Sequence, residues 1–436
     1  MKTSLLLTYA LLVVFSITTA QPAKRAQKRM KLGDYTSAVK MLEREALNPE
    51  NRNNVIPLLA ECYRMLDQPA KAQKWYALAV GLPGATPEWI YSYAQVLRTT
   101  GDYKKSREMF VRYTQLRPDD PRGNMNIASC DFIINPKNLI IPAYQVKAVK
   151  NINSSQSDFS PVFYKDELVF ASDRNLNLYD NSCNWEGRGY FDILNTHPKE
   201  PLKFSDQMKS AKLVSGKFVK SYHDGPVVFD GESRAYFTRT YTNKSGRGGN
   251  VTNHLEIYYS DMSEGKWGPL QPFFLNTKKY SVGFPTISAD GLTMVFASDM
   301  PGGNGGTDLY CCRWENGKWS QPVNLGPEIN TAGNEVFPSL QSDGSLLFSS
   351  DGLPGYGSLD IFCSKTGNDG WIKPENLGSP INSSYDDFSM NYAPNSSNGF
   401  FTSNRPGGMG SNDIYAFSRI DFGDQFVNNK VEVGKP

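Results

Sequence analysis

Trp267, Trp319 and Trp371 stand 52 residues apart, and each opens the last run of one recurring pattern, seen best from Ser281 to Asn330. Three short strand-like runs, FPTIS, LTMVFAS and DLYCCRW, are followed there by a fourth, WSQPVNLG. Asp290-Gly291, between the first two, suits a tight hairpin with positive φ at both turn positions. Four strands that bury one face cannot stand alone, so the unit must repeat and stack. The pattern is one blade of a β-propeller.

Opening runs recur at Phe159-Ser160-Pro161, Asp224-Gly225-Pro226, Phe284-Pro285, Phe337-Pro338 and Phe388-Ser389, followed by ELVFAS, RAYFTR, LTMVFAS, SLLFSS and GFFTSN. That gives five blades, or six if Leu202 to Phe218 holds a degenerate one. The fifth has no exit strand of its own. Upstream, NLIIPAYQVKAVKNIN (Asn138 to Asn153) reads as a strand whose end matches the later exits PEIN (Pro327 to Asn330) and SPIN (Ser379 to Asn382). Tyr144 to Ile152 is therefore expected to complete the fifth blade and close the ring.

Between second and third strands lies the most regular feature. Ser298-Asp299 precedes Asp308, Ser350-Asp351 precedes Asp360, and Ser403-Asn404 precedes Asp413, with glycines between. These residues resemble the WD-type PD40 repeats of TolB-like propellers. Each loop offers too few alternating carboxylates for the six to eight oxygens that calcium takes, so no metal or other cofactor is expected. The glycines supply positive φ, and Asp308, Asp360 and Asp413 are expected to accept hydrogen bonds from loop amides.

From Gln21 to about Asn135 the period changes to 34. Small residues fall at Ala26, Ala60, Ala94 and Ala128 and at Ala38, Ala72 and Ser106, while the turn recurs as Leu32-Gly33-Asp34-Tyr35, Leu66-Asp67-Gln68-Pro69 and Thr100-Gly101-Asp102-Tyr103. This resembles the tetratricopeptide repeat, whose small positions let paired helices approach closely. Three repeats and a capping helix over Arg122 to Asn135 are expected. The resemblance implies a concave docking groove lined by Glu61, Arg64, Tyr91, Gln95 and Arg98, with Arg64 and Arg98 one repeat apart and open to an acidic or carboxylate-bearing segment. The plainer alternative is that the array packs on its own propeller or acts as a spacer.

The predicted organisation is thus a signal peptide over 1–20, an α-helical tetratricopeptide solenoid over 21–136, an all-β propeller over 137–420 and a tail over 421–436, an α+β multidomain chain. The apolar run from Leu5 to Ile17 is too short to span a bilayer, so export to the periplasm without a membrane span is expected. Charge points the same way: residues 1–150 hold 22 Lys and Arg against 12 Asp and Glu, and residues 151–436 hold 24 against 32. For an exported protein the basic part is read as solvated helix surface, not as a nucleic-acid site.

Catalysis finds little support. His197, His223 and His254 lack metal-ligand spacing, and no nucleophile elbow or phosphate-cradling loop occurs. The protein is expected not to be an enzyme. Cys62 with Cys130, and Cys311 with Cys363, occupy equivalent repeat positions, too far apart to bridge, so all six cysteines are read as free thiols.

Signal peptide, tetratricopeptide repeats and a PD40-type propeller, in that order, resemble the first two thirds of the PorE-like periplasmic proteins of Bacteroidetes, a family associated with type IX secretion. Those proteins continue into an OmpA-like peptidoglycan-binding domain, whereas here Asp421 to Pro436 follows the propeller. The resemblance implies a non-catalytic scaffold for envelope or secretion-system proteins, possessing peptidoglycan contact only through a partner. A glycan-binding or glycan-processing propeller, using the 12% aromatic content for stacking, is the alternative.

Overall fold

The structure, a computed structural model, describes residues 23–135, 144–174, 189–198, 208–214, 223–241 and 254–420, apart from 369 and 395. The expected signal peptide and C-terminal tail lie outside these residues. Seven helices open the described chain: α1 (23–31), α2 (Tyr35–Ala46), α3 (Pro49–Met65), α4 (Pro69–Ala79), α5 (Pro87–Thr99), α6 (Tyr103–Leu116) and α7 (Pro121–Ile134). Their starts follow local chemistry. Asp34, Asn48, Thr86, Asp102 and Asp120 each cap a helix by accepting a first-turn amide, and Pro49, Pro87 and Pro121 occupy first helical positions, where a missing N–H costs nothing. Ala26, Ala38, Ala60, Ala72 and Ala94 are fully buried, so the helices close on one another at the repeated small positions. Ser106 keeps its slot by donating to the Ala94 carbonyl at 2.7 Å.

Five four-stranded antiparallel blades follow, each running from an inner to an outer strand. In the third these are Val282–Ile287, Thr293–Ser298, Asp308–Glu315 and Val323–Asn324. The fifth takes Asp387–Tyr392, Gly399–Ser403 and Asp413–Arg419 from the end of the chain and Tyr144–Ala148 as its outer strand. Tyr144 pairs with Arg419 and Ala148 with Tyr415, so the ring is closed by strand pairing between its two ends. The Ile-Asn motif explains the register. Asn153 brackets Ile414 with two hydrogen bonds, as Asn330 brackets Leu309 and Asn382 brackets Ile361.

Five apolar clusters, one between each pair of neighbouring blades, hold the ring together. Phe296 and Phe348, at equivalent places in the second strands, lie in adjacent clusters and are essentially inaccessible. The part of Leu202–Phe218 that is described supplies Lys212–Leu213, the outer strand of the first blade, and not a sixth blade.

Two local expectations are corrected. Trp267 and Trp319 do not open the outer strands. They pair back on the ends of the third strands through two-residue ladders, and the outer strands follow at Gln271–Pro272 and Val323–Asn324. Trp371 likewise belongs to a separate small hairpin, with Glu375–Asn376 as the outer strand. In the Asp290-Gly291 turn only Gly291 takes positive φ, +72°. Asp290 instead folds its carboxylate back to accept the Leu292 amide at 2.9 Å, which closes the turn from the side chain.

Candidate functional site

The loop carboxylates are consumed inside the fold. Asp308 accepts the Asn304 amide at 2.6 Å and the Gly305 amide at 3.1 Å, Asp360 the Gly357 amide at 3.1 Å, and Asp413 the Met409 and Gly410 amides at 2.8 and 3.0 Å. Asp299, Asp351 and Asn404 reach the other way, accepting the amides of Ser281, Asn334 and Asp386 at 2.5, 2.6 and 2.8 Å. The first three residues brace each second-to-third-strand loop from within, and the last three pin its start to the beginning of an inner strand. A ring of buried acids lies beside them, which the sequence reading missed: Asp158, Asp224 and Asp387, each on an arginine (Arg174, Arg239 and Arg405), and Glu335. In Arg405's place the fourth blade carries Gly352, where any Cβ would strike Thr331. Among the described residues Glu335 is satisfied by Thr331 and Ser350 alone, and burial pushes its carboxyl up to about 7.

The central channel is shut. Inner-strand bulges hold Ser160, Phe284, Phe337 and Ser389 at φ between 50° and 54°. Phe284 meets Phe337 at 4.4 Å and Phe337 meets Phe388 at 4.7 Å between ring centres. A void of only about 30 Å³ remains among the inner strands. At the channel's far side a recess of about 580 Å³ opens among the first hairpin turns of the fourth and fifth blades, lined by Ser342, Ser345, Ser396, Ser397 and Tyr392, with Lys365 and Arg419.

The solenoid sits on the propeller face that carries the loop carboxylates. Ser384 donates to the Thr99 carbonyl at 2.8 Å, and Phe132 meets Tyr356 edge-on at 6.0 Å. Arg64, Gln95 and Thr99 line a cavity of about 140 Å³ together with Tyr385, Asp386 and Asn404. Burial pushes Asp386 up to about 6, against the pull of the Leu359 amide and the Arg98 charge. Arg98 itself is 3% exposed, and its charge is also felt by Asp360. The expectation that Arg98 stands open on a groove is therefore corrected: the propeller covers it. Arg64 is half-buried and held by Glu61 at 2.6 Å, so it is not a free cation either. Tyr91 packs on Phe110 and Tyr113 beneath Arg122, with its hydroxyl reached by Gln95 and Asn126, and forms wall more than surface.

What stays open is the other half of the concave face. A groove of about 720 Å³ runs across α1, α3 and α5, from Gln27 and Met30 over Asn53, Asn54, Pro57, Leu58 and Glu61 to Glu88, Trp89 and Ser92. Tyr76 closes its floor by donating to Glu61 at 2.6 Å. Burial raises the Glu61 carboxyl, yet the Arg64 guanidinium and the Tyr76 hydroxyl together hold it below the usual carboxylate range. Of the five groove residues expected from the sequence, Glu61 alone lines this open part. Pro57, Leu58 and Trp89 were missed, although Trp89 puts a large aromatic where the preceding repeat has Val55.

Among the described residues no group of three or more His, Cys, Asp or Glu is placed to hold a metal ion. His197 lies 3.3 Å from Glu167 and 3.5 Å from Asp166, and His223 accepts the Phe191 amide at 3.2 Å, so the two sit in separate structural contacts. Cys62, Cys130, Cys311, Cys312 and Cys363 are free thiols; Cys183 lies outside the described residues.

No protein-family profile matches the chain, and no curated protein does. Solved structures resemble its parts. The O-GlcNAc transferase of Thermobaculum terrenum is similar over 26% of this chain and 22% of its own, with 17% identity and a TM-score of 0.24. The type III secretion chaperone SycD of Yersinia enterocolitica, solved with a peptide of the translocator YopD, is similar over 27% of this chain and 95% of its own, with 15% identity and a TM-score of 0.25. A xylan β-1,4-xylosidase from Bacillus halodurans is similar over 64% of this chain and 55% of its own, with 14% identity and a TM-score of 0.37. The chain thus spans about a fifth of the transferase and about half of the xylosidase. With every TM-score below 0.5, what those proteins act on carries no weight for this one.

Proposed function

We propose that the protein is a non-catalytic scaffold of the bacterial periplasm, of the PorE-like kind, which docks a protein of the outer-membrane or secretion machinery, type IX secretion included. The observation that carries this reading is the open groove of about 720 Å³ on α1, α3 and α5, an apolar floor rimmed by the side-chain amides of Gln27, Asn53 and Asn54. Such a lining can bury a partner's apolar side chains while its amides bond the partner backbone. The propeller supports the reading as a rigid base, since its loop carboxylates and channel are filled by its own side chains. Affinity purification from native cells tests it. Trp89→Arg, with its fold checked by melting temperature because Trp89 also packs against the solenoid core, should abolish recovery of the envelope proteins that the parent captures; unchanged recovery overturns the groove as docking site. The recess of about 580 Å³ on the opposite face, rich in serine hydroxyls and bordered by Tyr392, favours a second reading as a glycan site. Binding of soluble glycans that is lost on Tyr392→Ala would establish that alternative.

A further inference from the structure

Charge in the open groove is one-sided. Glu61 and Glu88 line it, and among the described residues no lysine, arginine or histidine does. Both carboxylates are already neutralised from outside the groove, Glu61 by Arg64 at 2.6 Å and Glu88 by Arg117 at 3.2 Å. These pairs are partly exposed, so each contributes little, and exchanging one cation for another on the same carboxylate costs almost nothing. A third acceptor comes from the backbone. Pro57 lies inside α3 and has no N–H to return to the carbonyl of Asn53, one turn earlier on the same groove wall. A helix interior normally consumes that carbonyl, and Pro57 cannot supply the N–H that would do so.

We propose that the segment taken up by this groove carries a lysine or arginine flanked by apolar side chains, its cation bound by Glu61 and by the Asn53 carbonyl and its apolar neighbours seated on Leu58 and Trp89. This rests on the docking reading above and specifies its partner. It reverses the acidic partner that Arg64 and Arg98 suggested from sequence, because one of those arginines is covered and the other neutralised. Displaced from Glu61, Arg64 has acceptors to turn to, since it also lines the junction cavity that holds Asp67 and Asp386. Binding of the cation would then bring the Arg64 charge toward Asp67 and Asp386, which line that same cavity.

The test uses the full chain and two fluorescein-labelled synthetic octapeptides, one alternating leucine with lysine and one alternating leucine with glutamate. The protein's formal charge is +2, and its helical part is more basic still, so attraction by overall charge favours the acidic probe. The lysine probe is expected to bind at least tenfold more tightly, and the preference should vanish in a Glu61→Gln, Glu88→Gln double variant, whose fold is checked by melting temperature. Equal binding, preference for the glutamate probe, or a preference that survives in the double variant would each overturn the proposal. If Trp89→Arg still abolishes envelope-protein capture while the lysine probe shows no advantage, the docking reading stands and only the cationic partner falls. If Trp89→Arg leaves both capture and lysine-probe binding unchanged, the groove itself is wrong.

Discussion

The hydroxyl of Ser384, on the connection between the fourth and fifth blades, donates to the carbonyl of Thr99 at the end of α5 over 2.8 Å. A carbonyl at a helix C-terminus has no intrahelical partner, so the propeller satisfies an acceptor that the solenoid leaves open. Arg98, next to it, brings a buried positive charge to a propeller face crowded with carboxylates. The two domains are joined by complementary unfinished chemistry.

Reversing Arg98 should therefore be a folding mutation and not a binding one. Arg98→Glu would set a carboxylate beside Asp360 and Asp386 with nothing to offset it, at a cost of about 3 kcal/mol or more. Arg64→Glu, at a half-buried position, should cost clearly less. Denaturant melts of the two variants check the contrast, and equal stabilities would contradict the burial of Arg98 under the propeller.

Ring closure makes a second prediction. Without Tyr144–Ala148 the strand Asp413–Arg419 becomes an unpaired edge, which opens or aggregates the propeller. A propeller starting at Ser154 should melt well below one starting at Asn138. Equal melting temperatures would mean that the pairing contributes nothing.

How far the sequence led follows from what kind of interaction was being read. The strand at Tyr144 was legible because Ile152-Asn153 repeats the Ile-Asn of the other blades, a local motif with one geometric role. Phe296 and Phe348 were legible because equal spacing puts equal residues in equal places. Arg98 was misread for the same reason: repeat register shows which helix face a residue shares with Arg64, but not that another domain lies over one of them and not the other. The acid-arginine ring was missed because its partners are 15 to 18 residues apart across a strand pair, and Gly352 breaks the pattern in the fourth blade.

Phe296→Ala should destabilise the protein by roughly 3 to 5 kcal/mol, the usual cost of removing a fully buried aromatic side chain. A loss below about 1 kcal/mol in denaturant melts would contradict its place between the second and third blades.

Glu335 predicts a pH dependence of unusual sign. Its carboxyl is raised from 4.5 to about 7 by burial, so the folded chain binds this proton more tightly than the unfolded one. Stability from this group is full below about pH 4.5, falls as pH rises toward 7 and then levels, by about 3 kcal/mol in all. Glu335→Gln should remove that slope and be the more stable protein at pH 8. A parent and variant with parallel stability curves between pH 5 and 8 would contradict the assignment.

Site-specific photo-cross-linking in native cells tests the central claim most directly. A benzophenone amino acid placed at Asn54, in the open groove, should capture an envelope protein, and the cross-link should disappear when Trp89→Arg is added. One placed at Ser397, in the recess across the propeller, should capture nothing. Cross-links from Ser397 together with none from Asn54 would show that the propeller, and not the solenoid groove, holds the partner.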